Sequence, residues 1–142
     1  MKIFCDTNVI LDILIKDRPG SQYSLKMWET IRSNIVEAVV STQSLIDSYY
    51  TALKSNILKQ EIDLAVYWMM DHINVRPIGF FEMHEALLSG DKDVEDASQI
   101  ELAKTEHCDV FVTSDLEILS RGESDYMLFL SPSEFIARMT EA

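Results

Sequence analysis

Apolar positions along this chain follow two alternating rhythms. Short apolar runs occur at Ile3-Phe4-Cys5, Glu37-Ala-Val-Val-Ser41, Val75-Arg-Pro-Ile78, Asp109-Val-Phe-Val-Thr113 and Tyr126-Met-Leu-Phe-Leu130. They are too short for helices and read as five strands, most of them buried on both faces. Between them the apolar residues take helical spacing. Asn8 to Ile15 carries Val9, Ile10, Ile13 and Leu14 on one stripe, which leaves Asp12 expected to face water. Asp17-Arg-Pro-Gly20 breaks that helix. A second helix runs to Asn34, with Ser21 as its N-cap and Leu25, Trp28 and Ile31 inward. Thr42 opens a helix to about Lys54, with Leu45, Tyr49, Ala52 and Leu53 as its core face. Further helices are expected over Gln60–Ile73, Glu82–Leu88 and Asp93–Glu106, and Ser131-Pro-Ser-Glu134 starts the last. Strands alternating with helices predict an α/β fold: a parallel sheet covered on both faces, in one domain spanning residues 1–142.

The helix from Gln60 to Ile73 is unusually apolar. Ile62, Ala65, Val66 and Met69 form one stripe, and Leu64, Tyr67 and Trp68 lie off it. A helix apolar on more than one side is expected to be covered on more than one side, by its own domain or by a partner. Pro77 suits a strand at the sheet edge.

Charge narrows the function classes. The net charge is -12, and Gly79 to Tyr126 holds thirteen acidic residues against three basic ones. A general nucleic-acid-coating protein would carry a basic footprint instead. An enzyme that meets nucleic acid through bound cations remains compatible with such acidity. The two cysteines, Cys5 and Cys108, offer neither a disulfide framework nor metal spacing, which suits a reducing, cytoplasmic setting. With the first strand starting at Lys2 no signal peptide is expected, and no apolar run approaches the ~18 residues of a membrane span.

The first sixteen residues point to the chemistry. The run Ile3-Phe4-Cys5 ends in Asp6 just before a helix, and ligands of open parallel sheets bind beyond the carboxyl ends of the strands. Asp115 closes the fourth strand in the same way. Asp47 lies in the second turn of the helix after strand two, and Asp96 in the first turn of the helix before strand four. Helices in such folds run antiparallel to the strands, so all four carboxylates fall at one rim. Taken singly, each has a plainer reading: Asp115 as a turn residue, Asp96 as an answer to the helix dipole, Asp93 as a cap, and Asp47 as a solvated position between Ser44 and Ser48. Placement at one rim favours the functional reading of the set. Like charges there raise each other's pKa, and divalent cations relieve them. Oxygen donors without His or Cys select Mg²⁺ or Mn²⁺, and such a rim suits phosphodiester hydrolysis.

Other chemistries find no motif. There is no Gly-rich phosphate loop and no Gly-x-Ser-x-Gly elbow. His72, His84 and His107 fall on or beside helices without partners in sequence. A phosphoacceptor receiver is disfavoured because strand three ends in Pro77-Ile78-Gly79, and an Asp-x-Asp phosphatase because Asn8 holds the second acidic position.

Three blocks resemble the signatures of PIN-domain proteins: Phe4-Cys-Asp-Thr-Asn-Val-Ile-Leu-Asp12, Asp93-Val-Glu-Asp-Ala-Ser-Gln99 and Asp109-Val-Phe-Val-Thr-Ser-Asp115. The closing Leu130-Ser-Pro-Ser-Glu-Phe135 resembles the end of one bacterial subgroup, and the likeness covers essentially the whole chain. The family comprises metal-dependent ribonucleases, many of them toxins of the VapC type. The resemblance implies a three-layer α/β/α fold with a five-stranded parallel sheet in the order 3-2-1-4-5. It implies a Mg²⁺- or Mn²⁺-dependent endoribonuclease whose acids are Asp6, Asp47, Asp96 and Asp115, with Asn8, Thr113 and Asp93 in support. It also implies an RNA substrate and an antitoxin protein as partner. The family usually has Glu where this chain has Asp47; one methylene shorter, Asp47 is expected to reach a cation through water. A homodimer is expected, and a catalytically weak binding module is the alternative function. In that alternative the apolar helix and the pair Tyr49-Tyr50 would serve an antitoxin-like partner or a dimer. Near the rim, Lys16, Arg18, Lys92 and Arg121 are the closest cations.

Overall fold

The computed structural model describes residues 1–140; residues 141 and 142, the end of the expected domain, lie outside the described residues. The strands are β1 (Lys2–Cys5), β2 (Glu37–Ser41), β3 (Asn74–Arg76), β4 (Val110–Val112), β5 (Glu123–Ser124) and β6 (Met127–Leu130). The helices are α1 (Thr7–Leu14), α2 (Ser21–Arg32), α3 (Thr42–Leu53), α4 (Lys59–His72), α5 (Phe80–Leu88), α6 (Val94–Thr105), α7 (Leu116–Leu119) and α8 (Pro132–Thr140). One sheet holds all six strands in the order β3-β2-β1-β4-β6-β5. Its first five are parallel, in register Ile3↔Ala38, Phe4↔Phe111 and Val112↔Leu130. The expected order 3-2-1-4-5 is therefore present, with β6 as the fifth parallel strand.

Strand alternation sorts the core into two faces. Ile3, Cys5, Ala38, Val40, Val110, Val112 and Leu130 point one way and pack with Val9 and Ile10 of α1, Met27 and Ile31 of α2, Met69 of α4 and Phe135 of α8. Phe4, Val39, Phe111 and Phe129 point the other way, against Ile100, Leu102 and Ala103 of α6 and Ile118 of α7. Phe4 stacks on Phe111 at 5.2 Å, and Phe111 meets Phe129 edge-on at 5.7 Å. Burial of this kind contributes about 25 cal/mol per Å² of apolar surface and is what makes the layers close.

Several expectations need correction. The sheet has six strands rather than five, because Glu123–Ser124 folds back antiparallel on β6. Its turn is Asp125-Tyr126, both left-handed at φ 47° and 67°, as a two-residue hairpin of right-handed twist requires. Asp12 does not face water. It is 4% exposed and pairs with Arg18, because the break after α1 folds back over it. Ser21 is not the cap of α2: Gly20 holds that position, and the Ser21 hydroxyl donates to the carbonyls of Asp12 and Ile15. Met27, which the sequence reading passed over, is fully buried on α2 together with the expected Ile31, while Trp28 packs partly buried against the same core and Leu25 is only half-buried. Pro77 lies just past β3, which is the sheet edge as expected. Leu64, Tyr67 and Trp68 of α4 are exposed, so the fold covers that helix on one side. Among the described residues, no helix is long and apolar enough to cross a membrane.

Candidate active site

Asp6 follows β1 directly and caps α1. Its Oδ1 accepts the Thr7 N–H at 2.8 Å, and its Oδ2 accepts the Thr113 hydroxyl at 2.7 Å. Its own N–H donates to the Val112 carbonyl, extending the sheet by one bond. Thr113 is fully buried and accepts the Asp115 N–H at 3.0 Å, so one hydroxyl ties the ends of two adjacent strands together. Burial pushes the Asp6 carboxyl up; Thr113 and Thr7 pull it back, and Asp115 and Asp93 add repulsion.

Asp96 stands in the first turn of α6. Asp93 caps that helix as expected, accepting the Asp96 N–H at 3.0 Å. Desolvation, then the charges of Asp93, Asp6, Asp115 and Glu95, push the Asp96 carboxyl up to about 7. Asp115 caps α7 by accepting the N–H groups of Glu117 and Ile118. Asp47 is half-buried on α3, 3.4 Å from the Gln43 amide. Glu95 joins it: desolvation, then Asp47, Asp93 and Asp6, push the Glu95 carboxyl up. The structure thus brings Asp6, Asp93, Asp96 and Asp115 into one field and sets Asp47 beside Glu95 at its margin. Glu95 was not among the residues the sequence singled out for the site. Its i+2 spacing from the Asp93 cap was the one signal of a further role.

A buried polar brace underlies the rim. The Gln99 amide of α6, 1% exposed, donates to Ser44 Oγ of α3 at 2.6 Å, and Ser44 Oγ meets Thr7 Oγ1 at 2.6 Å. The brace joins the three elements that carry Asp96, Asp47 and Asp6. Sequence reading missed it, since Gln, Ser and Thr so far apart carry no shared pattern. Asn8 is exposed on the first turn of α1. Of the nearby cations, Arg18 is bound to Asp12 and Arg121 to Asp91 at 2.8 Å.

The donor set fits a hard cation. Every candidate donor is oxygen. Cys5, next to Asp6, is pushed up to about 12 by burial and stays a thiol. His72 and His107 sit at the opposite edge, where α4 and α6 end. Among the described residues no three Asp, Glu, His or Cys side chains close on one point as a finished cage. A cation here would share its shell with water, as Mg²⁺ characteristically does.

Comparison with known proteins bears on the family and the fold. A family model described as PIN domain matches residues 2–117. The chain is 30% identical over 134 residues to "Ribonuclease VapC1" of Aquifex aeolicus (strain VF5), covering 86% of this chain and 92% of that protein. Among solved structures, Mycobacterium tuberculosis VapC20, described as a Sarcin-Ricin loop cleaving toxin, superposes with a TM-score of 0.68 at 11% identity, over 87% of this chain and 97% of that one. A chain of VapBC2 from Rickettsia felis, bound to a DNA fragment from the promoter, gives 0.67 at 13% identity, over 92% and 98%. At these identities the two structures support the fold.

Proposed function

The chain belongs to the PIN-domain family, and from that premise we propose that it is a divalent-metal-dependent endoribonuclease, the toxin of a toxin–antitoxin pair. The observation that carries the reading is the field of carboxylates at the sheet rim, where burial first and the charges of Asp93, Asp6, Asp115 and Glu95 after it push the Asp96 carboxyl up to about 7. Such a field costs stability and is relieved by a cation. Asp6 and Asp96 are the ligands we assign first, Asp115 next, and Asp47 last, through water. Mg²⁺ or Mn²⁺ fits the all-oxygen donor set.

The chain's own residues prepare the site. Thr113 and the Thr7 N–H fix the Asp6 carboxylate in one orientation. Asp93 fixes the start of α6 and with it Asp96. The Gln99–Ser44–Thr7 brace keeps α6, α3 and α1 in register. When bound, the cation supplies charge neutralisation at the phosphate and lowers the pKa of the attacking water. Asp6 and Asp96 would orient that assembly for in-line attack, and Asn8 stands beside it on α1.

The homologue's name and the antitoxin complex among the structural neighbours support RNA as substrate and an antitoxin as partner. The exposed apolar face of α4 supports association, with an antitoxin or with a second copy of the chain as a homodimer. The same face favours the second reading, a catalytically weak binding module. We place the activity in one domain, residues 1–142, in the cytoplasm, which suits two buried free cysteines.

The test is cleavage of single-stranded RNA by the purified protein with Mn²⁺. Wild type should cleave, and Asp6→Asn should lose at least about a hundredfold in rate while keeping its circular dichroism. Unchanged cleavage by Asp6→Asn would remove the carboxylate site from the account.

A further inference from the structure

We propose that the groove beside the acidic rim seats the RNA segment flanking the scissile phosphate, with Arg18 as its phosphate anchor and Tyr23 as its base platform. The proposal rests on the ribonuclease reading and names how that substrate is held. The groove encloses about 500 Å³. Asn8, Arg18, Tyr23, Ser114, Leu116 and Ser131 line it. Asn8 is two residues past Asp6 on α1, and Ser114 and Leu116 flank Asp115, so the groove is lined by chain neighbours of two rim carboxylates, which themselves lie outside its lining.

Arg18 is held at the groove by a built support. Its Nε donates to Asp12 Oδ1 at 2.7 Å, and Asp12 is 4% exposed. The Ser21 hydroxyl bonds the Asp12 carbonyl at 2.7 Å. Gly20 lies so close that a Cβ there would strike Asp12 Oδ2. A guanidinium carries five N–H donors, and Asp12 takes only the one on Nε, so the terminal nitrogens remain available to the groove. Their orientation is already fixed, which lowers the entropic cost of gripping a phosphate.

Charge gives this support a purpose. At a net -12 the chain repels RNA at long range, and Arg121 is engaged by Asp91 at its terminal Nη2. Arg18 presents its terminal nitrogens on the other side of the rim. The remaining lining suits an unstacked nucleotide: Tyr23 and the exposed Leu116 offer apolar surface for a base, and Ser114 and Ser131 offer hydroxyls for sugar and base edges. Single-stranded RNA is held by this mix of stacking, cation and scattered hydrogen bonds.

The test compares wild type with Arg18→Gln combined with Asp12→Asn, a neutral pair that leaves no charge buried alone. Binding is read by anisotropy on a fluorescein-labelled, mixed-sequence single-stranded RNA of about a dozen nucleotides, with Ca²⁺ replacing Mn²⁺ to slow cleavage. The double variant should bind about tenfold more weakly, and its log affinity against log salt should flatten by about 0.7, the slope of one phosphate contact on a single strand. Tyr23→Ala should weaken binding about tenfold with the slope unchanged. In Mn²⁺ cleavage the loss should fall on KM, with kcat unchanged. A double variant with wild-type affinity and salt slope overturns the groove, whatever its melting temperature, even where wild type cleaves RNA. A wild type that binds as predicted but cleaves nothing leaves the groove standing and overturns the ribonuclease reading instead.

Discussion

Asp96 is half-buried, with Asp93, Asp6, Asp115 and Glu95 as its electrical neighbours, and its carboxyl lies at about 7. The folded chain therefore holds that proton to higher pH than the unfolded chain, whose Asp titrates near ~3.9. Its contribution to stability is complete below the unfolded value and is lost as pH rises from about 4 to about 7. Asp96→Asn removes the repulsion. With EDTA present, this variant should melt roughly 3 °C above wild type at about pH 8, the shift that about 1 kcal/mol gives a domain of this size, and the gain should vanish near pH 4. A variant that melts below wild type at pH 8 would contradict the repulsion argument. The same substitution should abolish cleavage, so stability and activity trade against each other at this residue. The position of Asp96 at the rim was legible from the rule that helix starts lie at strand ends. Its coupling to Glu95 was not, since charge coupling depends on distances in space. Asp12 was misjudged for a related reason: helical periodicity counts only its own helix, and the cover comes from the chain folding back through Arg18 to Ser21.

Among the elements, the strands and the parallel sheet were legible because buried strands carry continuous apolar runs and helices carry period, while the strand order followed from the family resemblance. Two short elements were not. The four residues of α7 are too few for a period, and the β5–β6 turn uses Asp125-Tyr126 in place of the Asn-Gly that signals such hairpins. The brace beneath the rim belongs to this scale, because it joins helices. Ser44→Ala removes the acceptor of the Gln99 amide and the partner of Thr7, leaving buried polar groups unpaired. It should cost about 1–3 kcal/mol in urea unfolding and slow cleavage by loosening α6 against α1. A loss below about 0.3 kcal/mol would mean the brace adds nothing to the fold.

For the whole molecule, the surface poses two questions, how an acidic protein docks RNA and what covers its apolar faces. Tyr67 and Trp68 of α4 are 69% and 54% exposed, and Phe80 at the start of α5 is 86% exposed. If a second copy rather than an antitoxin covers α4, Tyr67→Asp with Trp68→Asp should shift a sedimenting dimer to monomer while the melting temperature stays within about 1–2 °C, as exposed positions allow. A wild type that sediments as a monomer would take the second copy out of the account. The central claim is that the carboxylates at the rim form one cation site, and calorimetric titration of Mn²⁺ into the metal-free protein tests it most directly. Wild type should show saturable binding, and Asp6→Asn and Asp96→Asn should each lose it while keeping their fold. Undiminished binding in both variants, or no binding by wild type at millimolar Mn²⁺, would contradict the claim.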